Sequence, residues 1–288
     1  MPLSPSLYPD ATAAGGAKPS TVLTQEQIQS FIDVGYCVLR DAFSARQAAA
    51  ACRCVWRRME QKAGIRENDP ASWPEAYDIE EHLDDPEVLD CFTDRLAVAV
   101  NQLLGPGRWS GFRKWGLWPV NFYFGSDQPY DYPTTSWHVD GNWFTHSIDC
   151  PLQGLLLIGL FTDIRPQYGG TILAGESHKA TARVLARHPE GISHFNLFSE
   201  VLAEPIGNFV ESTGKAGDVV LAHPFLFHTR GMKHRGPPRI ISNTEASLKQ
   251  PLVLQRQNPE DYSVLELSII QALREAPAAP KGARLCRF

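Results

Sequence analysis

The chain has 288 residues, 43% of them hydrophobic and 20% charged, a balance that supports a packed core and argues against overall disorder. Its formal charge of −5, with no block of Lys or Arg, excludes a protein that grips nucleic acid through phosphate neutralisation. The longest apolar run, residues 155–161, is too short to span a bilayer, so no membrane partner is expected. Six scattered cysteines, none in a Cys-x-x-Cys pair, speak against a zinc ribbon or a thioredoxin-like motif and for a reducing compartment. The start lacks a cationic stretch followed by an apolar one, so no secretory leader is expected and the default location is the cytoplasm.

Residues 1–20, rich in Pro, Ala, Ser and Gly, read as a mobile tail, and 276–288 read as a second one. Thr24 with Gln27 forms a capping-box pattern, and Ile28, Phe31 and Ile32 line one helical face. Gly35 stops that helix and a short strand, Tyr36–Leu39, follows. Ser44 caps a second helix running to about Lys62, ended by Gly64. A third helix is expected over 86–104, before Gly105-Pro106. From about Trp109 the pattern changes to short β-rich runs punctuated by Gly, Pro, Asn and Asp: 120–124, 155–163, 170–173, 218–228 and 239–246. The expected architecture is mainly β with α, a sandwich or jelly roll carrying N-terminal helices. One domain covers 21–275, helical to about 108 and β from about 109 to 250. No internal repeat is present.

The chemistry centres on Ser136-Trp-His-Val-Asp-Gly-Asn-Trp143. Residues i and i+2 of a strand share a face, so His138 and Asp140 can converge on one metal ion. A third ligand would complete a 2-His-1-carboxylate triad, which leaves positions on Fe(II) open for cosubstrate and O2. The pair is weak alone, because the acidic run before Pro86 holds a copy, His82-Leu-Asp84, that reads as a solvated loop. His223 and His228 both offer the third ligand; five apart on one strand, they face opposite sides, so only one can reach the metal. A hairpin turning at Gly236-Pro-Pro would place Arg239 beside His228. A guanidinium there suits the far carboxylate of 2-oxoglutarate.

These segments together resemble the phytanoyl-CoA dioxygenase (PhyH-like) branch of the iron(II)/2-oxoglutarate oxygenases. The resemblance rests on four stretches in order: 23–40, Trp137-His-Val-Asp-Gly141, the Gly169-Gly170…Gly175-Glu-Ser-His178 segment, and Gly217-Asp218…His223-Pro224…His228 with Arg239. It implies a double-stranded β-helix (a cupin-like jelly roll), with His138, Asp140 and His228 on iron and Arg239 on 2-oxoglutarate. It implies an enzyme that couples decarboxylation of 2-oxoglutarate by O2 to oxidation of an unactivated C–H bond in a small organic molecule of specialised metabolism. Hydroxylation is the default outcome, with desaturation or ring closure open to the same chemistry. A halogenase of this superfamily would lack the carboxylate ligand, so Asp140 argues against halogenation. Two rival readings are a cupin-like dioxygenase that needs no Arg239, and a non-catalytic binding protein on the same scaffold.

Further residues take expected roles around this centre. Asn121 and Thr229 are placed near the cosubstrate. Arg230 stands where the family often has a small hydroxyl residue, and on a continuing strand it faces as His228 does; it is expected to pair with an anionic group of the substrate. Trp137, Trp143 and Phe144 would cover the substrate's carbon skeleton. His223 and His178 read as structural, Asp218 as shaping a turn, and the aromatic segment 109–144 as mostly core.

Overall fold

The computed structural model describes residues 21–275 apart from Gln153; the two tails lie outside the described residues. Helix α1 (Gln25–Val34) begins with the expected capping box: Gln27 N–H donates to Thr24 Oγ1 at 3.3 Å, and Thr24 N–H donates to Gln27 Oε1 at 2.8 Å. Gly35, at φ 90°, ends it in the left-handed region. No other residue fits there, because a Cβ would sit 2.6 Å from His178 Nδ1. Strand β1 (Tyr36–Leu39) and helix α2 (Ala45–Ala63) follow, α2 carrying the same box through Ser44 and Gln47.

The expected third helix is two. Helix α3 (Pro86–Leu89) stops, and α4 (Asp94–Leu104) restarts from Thr93. The Thr93 hydroxyl accepts from Leu96 N–H at 3.2 Å and donates to the Ala42 carbonyl at 2.6 Å, so this cap also ties the restart to the chain before α2. Between α2 and α3 lies a strand the composition did not announce, β2 (Ala76–Ile79).

The β-rich part supplies β3 (Trp118–Asn121), β4 (Leu155–Leu160), β5 (Ile172–Ala174), β6 (Phe209–Glu211), β7 (Val219–Ala222), β8 (His228–Thr229) and β9 (Arg239–Ala246). They form a six-stranded sheet in the order β1-β7-β4-β9-β3-β2 and a three-stranded sheet β6-β5-β8, all pairs antiparallel. Leu156, Ile158, Val220, Ala222 and Ile241 from the large sheet pack with Leu173 of the small one, so the two sheets face each other over a shared interior. The opposite face of the large sheet, with Leu155, Leu157, Val219 and Leu221, joins the main core that also holds Phe31, Val55, Leu103 and Ile269. This is the expected jelly roll with helices packed on it.

Three expectations change. Helices α5 (Ser177–Ala186), α6 (His194–Leu202) and α7 (Val264–Arg274) lie in the part read as β, or just after it. The run 218–228 is not one strand: Pro224 cannot donate to a ladder, and Leu226 N–H turns back to the His223 carbonyl at 2.9 Å, separating β7 from β8. The β8–β9 hairpin is absent too, since β8 pairs with β5 while β9 pairs with β4 and β3.

Candidate metal centre

His138 and His228 meet across the small sheet's edge. Their backbones exchange two hydrogen bonds, His138 N–H to the His228 carbonyl at 3.0 Å and the reverse at 2.9 Å. This close pairing brings the ring centroids to 4.4 Å. Each imidazole is oriented by a carbonyl two residues back: His138 Nδ1–H donates to Ser136 at 2.8 Å and His228 Nδ1–H donates to Leu226 at 3.1 Å. Both Nε2 atoms are thereby aimed at Asp140, whose Oδ1 lies 3.5 Å from His138 Nε2 and 3.6 Å from His228 Nε2.

The donor atoms of His138, Asp140 and His228 all lie within 4.8 Å of one another. His228 Nε2 is buried with no hydrogen-bond partner among the described residues, so a cation held there would satisfy it. Burial works to raise the Asp140 pKa, but His228 and His138 hold it well below the usual carboxylate range. Burial likewise opposes a charge on His138, but Asp140 and the Ser136 carbonyl win and raise its pKa. Gly141 follows at φ 108°, where a Cβ would strike the Phe144 ring at 2.4 Å. The chain can therefore turn sharply after Asp140 only with glycine.

Arg239 lies at the start of β9, opposite Asn121 of β3. It is 2% exposed, and its Nε and Nη1 have no acceptor among the described residues. Burial, with the charge of Arg230 nearby, pulls its pKa down to about 9. A buried cation in that condition lacks an anion. The hairpin did not put it there; the strand pairing β3–β9 did.

The other residues singled out take the following places. Asn121 is fully buried, but its amide donates to the Gly231 carbonyl at 3.0 Å and accepts from Phe124 N–H at 3.1 Å, so it ties two loops together. Thr229 is buried and donates to the Thr135 carbonyl at 3.3 Å. Arg230 is already paired with Asp78 at 2.5 Å, and its charge is felt by both Arg239 and His138. Trp137 belongs to the core: it is 3% exposed, donates Nε1–H to the Pro133 carbonyl at 2.8 Å and lies against Phe209. Trp143 is 65% exposed beside the half-buried Phe144. His223 is packed between Phe31 and His178 and takes no part in the metal group. His178 sits on α5, donating Nε2–H to the Ile32 carbonyl at 3.1 Å. Asp218 holds Arg40, Asp41 N–H and Lys215 N–H, a turn-shaping role. His82 lies against the Phe112 ring, and Asp84 pairs with Lys114.

Four nearby groups escaped the sequence reading. Glu211 accepts from the N–H groups of Gln167, Gly169 and Gly170 at 2.7–3.0 Å, fixing the glycine turn beside Asn121. Lys233, 2% exposed, donates to the Arg235 and Gly236 carbonyls close to Arg239. His194, first residue of α6, lies in the field of His138 and Asp140, and burial lowers its pKa. Glu245, on β9, shares a cleft with Asp140; burial and the Asp140 charge push it up to about 8. None carries a motif; only the three-dimensional pairing assembles them.

Solved structures with the same architecture are similar to this chain at low identity. EctD from S. alaskensis with bound Fe is 20% identical with a TM-score of 0.51, over 82% of this chain and 83% of that one. Its apoform is 19% identical with a TM-score of 0.50, over 91% of both chains. The same protein with 2-oxoglutarate and 5-hydroxyectoine is 19% identical with a TM-score of 0.50, over 84% and 79%. These likenesses are of fold. No curated protein sequence matches the chain. The family model for phytanoyl-CoA dioxygenase matches residues 31–234, a span that carries β1, the His138, Asp140 and His228 cluster and the Gly169-Gly170 turn. By that match across most of its length, the chain belongs to the phytanoyl-CoA dioxygenase (PhyH) family.

Proposed function

We propose that the chain is an iron(II)- and 2-oxoglutarate-dependent oxygenase that oxidises a C–H bond of a small organic molecule, hydroxylation being the default outcome. The observation that carries this reading is a pair of buried, unsatisfied groups of opposite demand. His228 Nε2 lacks a cation, and Arg239 Nε and Nη1 lack an anion. A divalent metal on His138, Asp140 and His228, and a dicarboxylate on Arg239, answer both. The donor set of two imidazoles and one carboxylate suits iron(II), with coordination positions to spare.

Iron bound there would activate O2 against 2-oxoglutarate, giving succinate and CO2 and the power to attack an unactivated C–H bond. The chain's own residues supply the rest. The Ser136 and Leu226 carbonyls accept from Nδ1–H of the two imidazoles, so the ring orientation that presents each Nε2 to a metal is set in advance. Arg239 and Arg230 make the cosubstrate end of the barrel cationic, while Asp78 and Glu211 limit that charge. Trp143 and Phe144 stand beside the metal segment and offer apolar cover for a substrate. Arg239 also favours this reading over a cupin-like dioxygenase that does without 2-oxoglutarate, which would have no use for a buried unpaired guanidinium.

The experiment is to supply the purified chain anaerobically with Fe(II) and 2-oxoglutarate, measure binding of each by calorimetry, then admit O2 and measure succinate. Stoichiometric binding and slow substrate-free succinate formation are expected. Metal binding without any effect of 2-oxoglutarate would favour the cupin-like reading, and neither would favour a non-catalytic scaffold.

A further inference from the structure

Arg239 is delivered to its place by the connection 230–238, which leads from β8 into β9. Lys233 lies in the middle of that connection and holds it in two directions. Its own N–H donates to the Phe124 carbonyl at 2.8 Å, and the next two N–H groups, of His234 and Arg235, donate to the Gln167 carbonyl at 3.0 and 3.1 Å. Its side chain turns forward. Nζ donates to the Arg235 carbonyl at 2.5 Å and to the Gly236 carbonyl at 2.8 Å. These are the last two carbonyls before Pro237-Pro238, and each proline fixes its own φ near about −65°. A direction set at Gly236 is therefore carried stiffly to Arg239, the first residue of β9. Asn121 ties the other side: it stands opposite Arg239 in the β3–β9 register and donates to the Gly231 carbonyl of the same connection at 3.0 Å.

Lysine is a costly choice for such a clamp. Lys233 is 2% exposed and makes no ion pair among the described residues. The Tyr168 ring, 5.8 Å from Nζ, offsets part of the lost hydration. Burial and the like charge of Arg239 pull its pKa down to about 8, which still leaves it mostly cationic at neutral pH. What the ammonium offers in return is two charge-assisted bonds to carbonyls at once, from a single atom. Burying a cation without an anion in order to stiffen one turn makes sense where the residue that follows must be held accurately. Here that residue is Arg239, whose own Nε and Nη1 have no acceptor among the described residues.

We propose that Lys233 is a positioning residue for the cosubstrate: by holding the Arg235 and Gly236 carbonyls it aims Arg239 at the far carboxylate of 2-oxoglutarate. This deepens the oxygenase reading and rests on it.

The test is anaerobic calorimetry of the full chain loaded with Fe(II), with two ligands compared. 2-Oxoglutarate has the far carboxylate; 2-oxobutanoate has the same chelating end without it. In Lys233→Met, binding of 2-oxoglutarate is expected to weaken by about tenfold or more, while Fe(II) and 2-oxobutanoate bind within about twofold of wild type. In turnover the KM for 2-oxoglutarate should rise, with kcat at saturation changed by less than about twofold. Adding Lys233→Met to Arg239→Ala should cost no more than about a further twofold, because the lysine acts through the arginine. Thermal melting reports whether the variants fold. Lys233→Gln, which keeps one donor, takes the place of the methionine variant if that one does not, with a loss of several-fold expected. Unchanged 2-oxoglutarate binding in a folded variant, equal weakening of 2-oxoglutarate and 2-oxobutanoate, or a full tenfold loss that persists in Arg239→Ala overturns the proposal. A wild-type chain that binds Fe(II) but not 2-oxoglutarate sinks the oxygenase reading and this role with it. Wild-type binding of 2-oxoglutarate that the Lys233 variants leave intact sinks the role of Lys233 alone.

Discussion

His138 and His228 are bound to each other twice through their main chains, at 3.0 and 2.9 Å, before any metal is considered. The two imidazoles therefore sit on a reciprocal bridge, and their separation is set by that backbone pairing together with the Ser136 and Leu226 carbonyls that orient the rings. A site so preorganised loses little entropy on taking up an ion.

Removal of any one ligand should then abolish turnover while leaving the bridge intact. His138→Ala, Asp140→Ala and His228→Ala are each expected to lower Fe(II)-dependent succinate formation by at least about a hundredfold, beyond the 10–100-fold typical of losing an outer-shell partner. His223→Asn, on the far side of the turn, should still bind Fe(II). Calorimetry with Fe(II) and succinate detection decide the matter; retained activity in His228→Ala with loss in His223→Asn would reverse the choice of ligand.

Arg239→Lys keeps the charge but loses the planar fork that matches a carboxylate at two points. The KM for 2-oxoglutarate is expected to rise about tenfold or more, with a much smaller change in the KM for substrate. An unchanged dependence on 2-oxoglutarate would remove Arg239 from the cosubstrate site.

The buried pair His178 and His223 sets an acid limit on stability. Their rings are 4.9 Å apart, and burial pushes His178 down to about 3 and His223 well below its ordinary value. In the unfolded chain both take up a proton near pH 6.5, but in the fold they stay neutral until far lower. Between those limits the unfolded state binds more protons, so stability falls as pH falls, by up to about 1.4 kcal/mol per pH unit for each histidine. Urea midpoints at pH 7, 6 and 5 should show this slope, to which the depressed His146 and His194 also contribute, and His178→Gln should remove its own share. A flat wild-type profile over that interval would contradict the assignment.

The N-terminal helices were legible because their stop and start signals are local: Thr24, Gly35, Ser44 and Gly64 act through hydrogen bonds within a few residues. Helix α7 carried a readable signal as well, a capping box of Ser263 and Glu266, in a stretch read without helix. Helix α5 carried none, since its cap position is Glu176 at φ 68° with no side-chain bond. The His138–Asp140 pair was legible from strand alternation, whereas strand parity does not relate His223 to His228, because Pro224 breaks the strand between them. Glu245, Glu211 and Asp78 could not be read at all, because nothing local marks them. Glu245 gains its meaning from lying opposite Leu156, and Asp78 from its ion pair with a residue 152 positions away.

Arg230 and Asp78 allow a last test that separates the cosubstrate end from the substrate end. Their ion pair at 2.5 Å is 23% and 41% exposed, so its own worth to stability is small, at most about 1 kcal/mol. Its effect on binding should be larger, because both charges act on Arg239, Arg230 opposing its protonation and Asp78 favouring it. A dicarboxylate on Arg239 feels the reverse, drawn by Arg230 and repelled by Asp78. Arg230→Ala should therefore raise the KM for 2-oxoglutarate several-fold and slow substrate-free succinate formation. Asp78→Asn should lower that KM or leave it unchanged, and both shifts should shrink as salt is raised. Equal movement of the two variants in the same direction would show that the pair acts only through folding. A rise confined to the KM of the primary substrate in Arg230→Ala would return Arg230 to the substrate and restore an anionic group there.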